Sequence, residues 1–167
     1  MIAERVHRVD ITEEMLTKAK ARDQGAYNKM SFLKGGGNMV GFLGEYMFHS
    51  LCPSVKHVDS FDHDFEYNGV TVDVKTKTQN KPSEPLGHYE ASVTVESLKF
   101  QHPDWYVFCR IYKEAGEYKY GWVLGKISYD ELMCVGRRVF KGQDEGNMVF
   151  KKDNINIRYD QLRPIKL

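Results

Sequence analysis

The stretch Phe61-Asp-His-Asp-Phe-Glu-Tyr-Asn-Gly-Val-Thr-Val-Asp-Val-Lys-Thr-Lys-Thr78 decides the fold of this chain. Apolar residues recur at every second position on both sides of the Asn68-Gly69 pair, which is the period of a β-strand with one buried face. Asn-Gly between alternating segments is the strongest short-range hairpin signal, because a type I′ turn needs positive φ at both central positions. The sequence therefore predicts a β-hairpin that turns at residues 68 and 69.

The turn also predicts which residues face each other. Phe65 should face Val72, and Asp64 should face Asp73. One face of the hairpin then carries Phe61, His63, Phe65, Tyr67, Val70, Val72 and Val74. The other face carries Asp62, Asp64, Glu66, Thr71, Asp73, Lys75 and Lys77. The first set suits a core, whereas the second set brings several charged groups together.

Two acids placed opposite each other need a physical explanation. Directly opposed residues have Cβ atoms about 4.5–5.5 Å apart, and like charges there destabilise a sheet. Two carboxylates at this separation bind a hard cation such as Mg²⁺, which prefers oxygen ligands and keeps several waters. Lys75 follows Asp73 on the same face, where an ammonium group would orient an attacking water or stabilise developing charge. We therefore expect Asp64, Asp73 and Lys75 to form a phosphodiesterase site.

A simpler interpretation of this face is a solvated surface with an ion pair between Asp62 and Lys75, worth about 0–1 kcal/mol. It explains the alternation, but it does not explain why two acids oppose each other beside a lysine. Asp62 is also an alternative to Asp64 as the first acid. The predicted register favours Asp64, because it places that residue opposite Asp73.

Helices and further strands are predicted on both sides of the hairpin. Thr12, followed by two glutamates, starts a first helix that runs to about Lys29. Asn38 caps a second helix that runs to Ser50 and is stopped by Pro53. Further strands are predicted at about 93–95, 105–111, 118–124 and 155–159, with helical segments at 96–101 and from Ser128. Helices and strands are thus both expected, and the fold class, α/β (α+β), follows from the resemblance described below.

The composition fits one soluble domain. The 167 residues are 41% hydrophobic and 13% aromatic, which is enough for a core. The 24 basic and 23 acidic residues nearly cancel, so any contact with DNA needs a local basic patch. Cys52, Cys109 and Cys134 lack metal-site spacing and suggest reduced thiols. Charges interrupt the first residues and no run of about 18 apolar residues occurs, so we expect a cytoplasmic protein without a membrane segment.

The segment from Asp64 through Asp73 to Lys75 resembles the signature of the PD-(D/E)xK nuclease superfamily, which has the restriction-endonuclease-like fold. In that superfamily, an aspartate on one strand precedes an acid-x-lysine triplet on the next strand. Asp73-Val-Lys75 matches the triplet and Asp64 matches the preceding acid, although no proline precedes Asp64. The resemblance implies a restriction-endonuclease-like core, in which helices flank a mixed central β-sheet.

The resemblance extends upstream of the hairpin. Gly36-Gly-Asn-Met-Val-Gly-Phe-Leu-Gly-Glu45 is similar to the helix that donates an extra acid in many members. Gly41 and Gly44 would allow this helix to approach the sheet closely and bring Glu45 to the metal. A lone acid among apolar neighbours is otherwise costly to bury. A glutamate on the helix surface stays the alternative.

The resemblance implies a core at about residues 38–125 and a C-terminal elaboration at about 126–167. It implies a metal-dependent deoxyribonuclease, and we expect an endonuclease. The expected cofactor is Mg²⁺ or Mn²⁺, bound by Asp64, Asp73 and Glu45, with Lys75 helping water to attack phosphorus. The expected partner is DNA, and Lys77, Gln79 and Lys81 are weaker candidates for contacts with its phosphates.

Two alternatives stay open. Small members of the superfamily that work as dimers include junction resolvases, so a Holliday-junction resolvase that acts as a homodimer fits the same residues. A catalytically inactive module with the nuclease fold would bind DNA without cleaving it. The presence of both acids, the lysine and the helix glutamate argues against that second alternative, because a degenerate site usually loses one of them.

Overall fold

The computed structural model describes residues 5–28, 37–58, 60 and 62–166. Its elements, in chain order, are β1 (His7–Asp10), α1 (Glu13–Asn28), α2 (Gly37–Leu51), β2 (Lys56–His57), β3 (Phe65–Tyr67), β4 (Val70–Gln79), β5 (Glu90–Thr94), α3 (Val95–Leu98), β6 (Trp105–Glu114), β7 (Glu117–Ser128), α4 (Tyr129–Val135), β8 (Arg137–Val139) and β9 (Asn154–Arg158), followed by a 3₁₀ turn (Tyr159–Gln161). Within this part of the chain, no helix is long and apolar enough to span a membrane.

The strands form two sheets. The larger sheet has the order β1-β7-β6-β4-β3-β2, and the smaller sheet has the order β5-β9-β8. In the larger sheet β4 and β6 run parallel, while its other neighbouring strands are antiparallel. The parallel pair needs a crossover connection, which β5 and α3 supply. The prediction of a mixed sheet in an α+β fold is therefore confirmed.

The hairpin forms as the sequence predicts. Asn68 and Gly69 have φ angles of 48° and 79°, which are the positive values that a type I′ turn requires. Phe65 pairs with Val72, in the predicted register. At the end of the hairpin away from the turn, the predicted apolar face is buried. Phe65 is 0% exposed there, and Val72 and Val74 belong to the hydrophobic core.

The larger sheet separates two hydrophobic cores. Helices α1 and α2 pack on one face, against residues of β4, β6 and β7. The smaller sheet, together with α3 and α4, covers the opposite face. The two long helices, α1 and α2, therefore flank one face of the larger sheet only. The resemblance implied flanking helices, whereas the opposite face is covered by the smaller sheet with two short helices.

The C-terminal segment is part of this architecture. The predicted boundary at about residue 126 falls inside β7, and β9 is the central strand of the smaller sheet. Ile155 and Ile157 of β9 are buried against the larger sheet. The segment after residue 126 thus closes the second core.

Several predicted boundaries shift. The first helix covers Glu13–Asn28, which agrees with the prediction, and the second covers Gly37–Leu51. Asn38 was predicted to precede the second helix as its cap, but it lies within the first turn. The sequence did not predict β1, β2 or β8, because these strands have two to four residues and present few apolar positions.

The close approach of α2 to the sheet depends on Gly44. A Cβ atom at Gly44 would overlap the side chain of Thr76 on β4, and the Gly44 carbonyl oxygen lies 3.8 Å from Cys109 Sγ on β6. A Cβ atom at Gly41 would meet no atom within 4 Å. The role that was predicted for both glycines therefore belongs to Gly44 alone.

We expect Gly44→Ala to lower the free energy of unfolding by about 1–3 kcal/mol, because the added methyl group overpacks a rigid contact between helix and strand. The matched control is Gly41→Ala, which should be neutral or stabilising by up to about 1 kcal/mol, since alanine favours a helix over glycine. Chemical denaturation of the two variants measures the difference. Equal stability of the two variants would contradict this account of the packing.

Candidate active site

The polar face of β4 lies under the smaller sheet instead of facing solvent. Asp73 is 4% exposed, and its register neighbour on β6 is the buried Tyr106. Lys75 Nζ lies 2.7 Å from Asp73 Oδ2, and the Lys75 side chain is 29% exposed. Lys75 therefore pairs with Asp73 and not with Asp62, so the solvated face with an Asp62–Lys75 ion pair is not what the structure forms.

Asp64 reaches this position through a break in the ladder. Its amide donates to the carbonyl oxygen of Val72 at 3.0 Å, although Val72 already pairs with Phe65. Asp64 and Phe65 thus both face Val72, which is the arrangement of a β-bulge. The predicted backbone pairing of Asp64 with Asp73 is not formed, because the ladder between β3 and β4 ends at the Phe65–Val72 pair.

The bulge redirects the Asp64 side chain into the hairpin. Asp64 Oδ2 accepts a hydrogen bond of 2.7 Å from the amide of Val74, the residue after Asp73. The carboxyl group of Asp64 lies close enough to those of Asp73 and Glu45 that their negative charges raise its pKa. The three predicted acids are therefore neighbours, with Asp64 between the other two.

Glu45 projects from α2 and is 6% exposed, so the alternative of a glutamate on the helix surface is wrong. Its Oε2 accepts a hydrogen bond of 2.6 Å from Arg22 Nη1 on α1. The same oxygen lies 2.8 Å from Nε2 of His57 on β2. Arg22 and His57 were not predicted as site residues, since nothing in their local sequence links them to the hairpin.

The acids differ in how easily they ionise. Burial raises the pKa of Asp64 well above its ordinary value, and the negative charges of Asp73 and Glu45 raise it further. Burial also raises the pKa of Asp73, although the neighbouring Lys75 opposes the shift. Burial disfavours ionisation of Glu45 as well, but His57 and Arg22 outweigh it and lower the pKa of Glu45. Asp64 is therefore the acid that most readily holds a proton.

Two buried oxygens at the site lack hydrogen-bond partners within the described residues. They are the hydroxyl oxygen of Tyr106 and Oδ2 of Asp73, whose contact with Lys75 is an ion pair without hydrogen-bond geometry. Burial raises the pKa of Tyr106, and the charge of Asp73 adds to the shift. Tyr106 was not predicted as a site residue, although its strand was. Buried polar atoms nearly always have partners, so the Tyr106 hydroxyl, which has no ion pair either, is the atom at this site that points to a polar ligand.

The donor set fits a hard divalent cation. Asp64 and Asp73 supply carboxylate oxygens, and Mg²⁺ is usually held by one or two carboxylates with waters completing its shell. Oδ2 of Asp73 lies 2.7 Å from Lys75 Nζ, so an ion held by this carboxylate would share it with the lysine. Glu45 lies beside Asp64 but already engages Arg22 and His57. The described residues hold no group of three or more His, Cys, Asp or Glu side chains in metal-binding geometry.

The three weaker candidates for phosphate contact have different surroundings. Lys77 Nζ donates to Ser92 Oγ at 2.8 Å. Gln79 Nε2 donates to the carbonyl oxygens of Lys81 and Ser83, at 2.7 and 2.8 Å, so its amide shapes the loop that follows β4. Lys81 is exposed and lines a groove of about 750 Å³ together with Lys77 and Gln79. Two lysines thus face the groove, while Gln79 holds its rim.

Comparison with known proteins yields no match: no family model, no curated protein and no solved structure is similar to this chain. The resemblance to the PD-(D/E)xK superfamily therefore rests on the residues quoted above and on their arrangement around Asp64. It stays a hypothesis about the family.

We expect the contribution of Asp64 to the free energy of unfolding, measured without divalent ions, to fall as pH rises. A carboxyl group whose pKa is raised by folding contributes stability that is complete below its unfolded pKa of about 4 and is lost as pH passes through its folded pKa. Asp64→Asn should remove this loss and be more stable than the wild type at neutral pH, by about 1.4 kcal/mol for each pKa unit of the Asp64 shift. The amide oxygen can still accept the hydrogen bond from Val74.

Denaturation of both proteins in EDTA at a series of pH values measures the effect. Mg²⁺ should then restore stability at neutral pH in the wild type but not in Asp64→Asn. Parallel pH profiles for the two proteins would show that Asp64 does not carry the raised pKa.

Proposed function

We propose that this protein is a Mg²⁺- or Mn²⁺-dependent nuclease that hydrolyses DNA phosphodiester bonds as an endonuclease. The observation that carries the proposal is the position of Asp64, which a β-bulge directs between Glu45 and Asp73, with the ammonium group of Lys75 on Asp73. The site therefore combines three neighbouring acids, one each from α2, the residue before β3, and β4, with a lysine of β4. These are the groups that hydrolysis of a phosphodiester needs.

The acids account for the binding of a cation. Asp64 and Asp73 would hold the ion, and Glu45 would be the third acid, fixed by Arg22 and His57. A divalent ion bound here would polarise the phosphate and lower the pKa of a bound water. Because the carboxyl groups repel each other when ionised, their negative charge favours a cation over an unoccupied state.

Lys75 would stabilise the negative charge that develops on the phosphoryl group during the reaction. Its ammonium group is fixed by Asp73 and lies 3.4 Å from Gln101 Oε1, while part of the side chain stays accessible. A fixed donor that points at developing negative charge lowers the barrier without reorganisation during the reaction. Lys75 is therefore the residue that would stabilise the transition state or orient the attacking water.

Digestion of supercoiled, linear, single-stranded and four-way-junction DNA with Mg²⁺ or Mn²⁺ tests the proposal. Asp73→Asn and Lys75→Gln should each lower the rate by about 10²–10³-fold, the range found when one transition-state donor is removed. Lys119→Gln is the control. Lys119 pairs with Glu117 beside the turn between β6 and β7, and this turn lies at the opposite end of β6 from Tyr106. That variant should cleave at the wild-type rate, and EDTA should abolish cleavage.

The outcomes separate the alternatives. Preferred cleavage of four-way junctions would identify a junction resolvase within the same chemistry. Binding of DNA without cleavage in any metal would identify an inactive module and overturn the proposal. Cleavage that survives both Asp73→Asn and Lys75→Gln would place the activity elsewhere. Thermal unfolding of each variant shows whether a loss of activity reflects a loss of fold.

A further inference from the structure

A second pair of like charges lies on the same face of β4, beyond the acids. Lys77 is the register partner of Arg110 on the parallel strand β6, so the two cations project side by side from strands about 4.8 Å apart. Both residues line the groove of about 750 Å³. Like charges on adjacent strands destabilise a sheet unless something of opposite charge lies between or above them.

Within the described residues, neither cation has a carboxylate within ion-pair distance. Lys77 Nζ donates to the hydroxyl of Ser92 at 2.8 Å, and Arg110 Nη1 donates to the hydroxyl of Tyr159 at 2.7 Å. Nε of Arg110 is buried and has no hydrogen-bond partner. Their charges are therefore left uncompensated by the protein.

Three acids line the groove: Glu90 and Glu145 bind Arg137, and Glu84 is exposed. Arg137 makes two hydrogen bonds to Glu90, at 3.0 and 2.7 Å, and a third to Glu145 at 2.6 Å. Arg137 is the largest cause of the lowered pKa of Glu90. Glu90 also accepts a hydrogen bond from Asn156 at 2.8 Å. Arg137 thus binds both of these carboxylates, while Lys77 and Arg110 have no ion-pair partner of their own among the described residues.

The pKa of Lys77 is that of a cation without a carboxylate partner at ion-pair distance among the described residues. Although part of the side chain is exposed, the protein around the amine disfavours its charge and lowers the pKa of Lys77 to about 8. The charge of Arg110 adds to the shift, and Glu90 opposes it only in part. An anion beside both cations would reverse this shift.

The cation pair is continuous with the candidate active site. A small cavity of about 110 Å³ is lined by Lys75 and Lys77, and it shares Lys77 and Ser92 with the large groove. Lys77 follows Asp73 by four residues of β4, a distance of roughly 13 Å along the strand. A nucleic-acid strand that ran along β4 from Asp73 would pass Lys77 with a second phosphate.

We infer that Lys77 and Arg110 form a phosphate-binding position that holds the DNA backbone a short distance from the bond to be cleaved. The choice of DNA as the source of the phosphate rests on the proposed function. The requirement for a phosphate-type anion follows from the paired cations themselves. A nucleotide or another small phosphate ester offers the same chemistry, so the experiment includes both sources.

The test measures binding without cleavage, in EDTA, with a labelled DNA oligonucleotide and separately with inorganic phosphate. Lys77→Gln/Arg110→Gln should weaken oligonucleotide binding at least tenfold. It should also reduce the slope of log affinity against log salt by about 1–2, because each phosphate contact contributes about 0.7–0.9 to that slope. Inorganic phosphate should compete with the oligonucleotide on the wild type and raise the pKa of Lys77, measured by NMR of labelled lysine.

Two control variants separate charge from structure. Arg8→Gln/Lys119→Gln removes the same two charges from β1 and β7, and it should bind DNA like the wild type. Tyr159→Phe removes the hydrogen bond to Arg110 but keeps both cations, so it should also retain binding. If Tyr159→Phe binds as weakly as the double variant, the loss is structural and the inference fails.

The remaining outcomes are equally decisive. Unchanged oligonucleotide binding in the double variant, with lost phosphate binding, would overturn the assignment to DNA and assign the position to a small phosphate ester. Unchanged binding of both probes would overturn the inference entirely. Loss of binding in the double variant, together with absence of cleavage by the wild type, would refute the proposed nuclease and leave this anion position standing.

Discussion

The burial of Asp64 beside Asp73 is the constraint around which the rest of the site is arranged. Buried charges are tolerated only when they are paired or hydrogen-bonded. The bulge supplies the amide of Val74 to Asp64, and Lys75 supplies its charge to Asp73. Glu45 brings a third acid to the pair, together with Arg22, so three carboxyl groups meet two permanent cations. The remaining negative charge must be removed by a proton on Asp64 or offset by a bound cation.

The same constraint explains why α2 lies so close to the sheet. Glu45 reaches Asp64 only if the helix axis approaches β4, and Gly44 makes room for the side chain of Thr76 at that contact. The apolar residues of α2 bury against β4 and β6, which fixes the position of the helix. Apolar packing thus determines the electrostatics of the site. Gly44 sets the distance between α2 and β4, and the next residue, Glu45, carries the acid.

The sequence predicted the parts of the site that depend on local chemistry. The Asn68-Gly69 turn and the alternation on each side determine the hairpin and the face of Asp73 and Lys75, and these agree with the structure. The bulge at Asp64 was not predictable, because two residues that share one partner leave no mark in a pattern of period two. Arg22, His57 and Tyr106 reach the site by tertiary packing, which a single sequence does not reveal. The smaller sheet was not predicted. β8 is short and charged, and β9 pairs with β5, which is distant in the chain.

Two pairs of like charges meet along the polar face of β4, Asp64 with Asp73 and, further along the strand, Lys77 with Arg110 of β6, and each pair raises the energy of the ligand-free protein. A phosphodiester that carries a divalent ion at its reacting phosphate has the complementary order of charge, positive beside the acids and negative beside Lys77 and Arg110. Groups fixed before the ligand arrives need no reorganisation when it binds, which is how preorganised electrostatics favour one substrate and one orientation. The rigid parallel pairing of β4 with β6 therefore does more than complete the sheet, because it fixes both charge pairs at a constant separation along one strand.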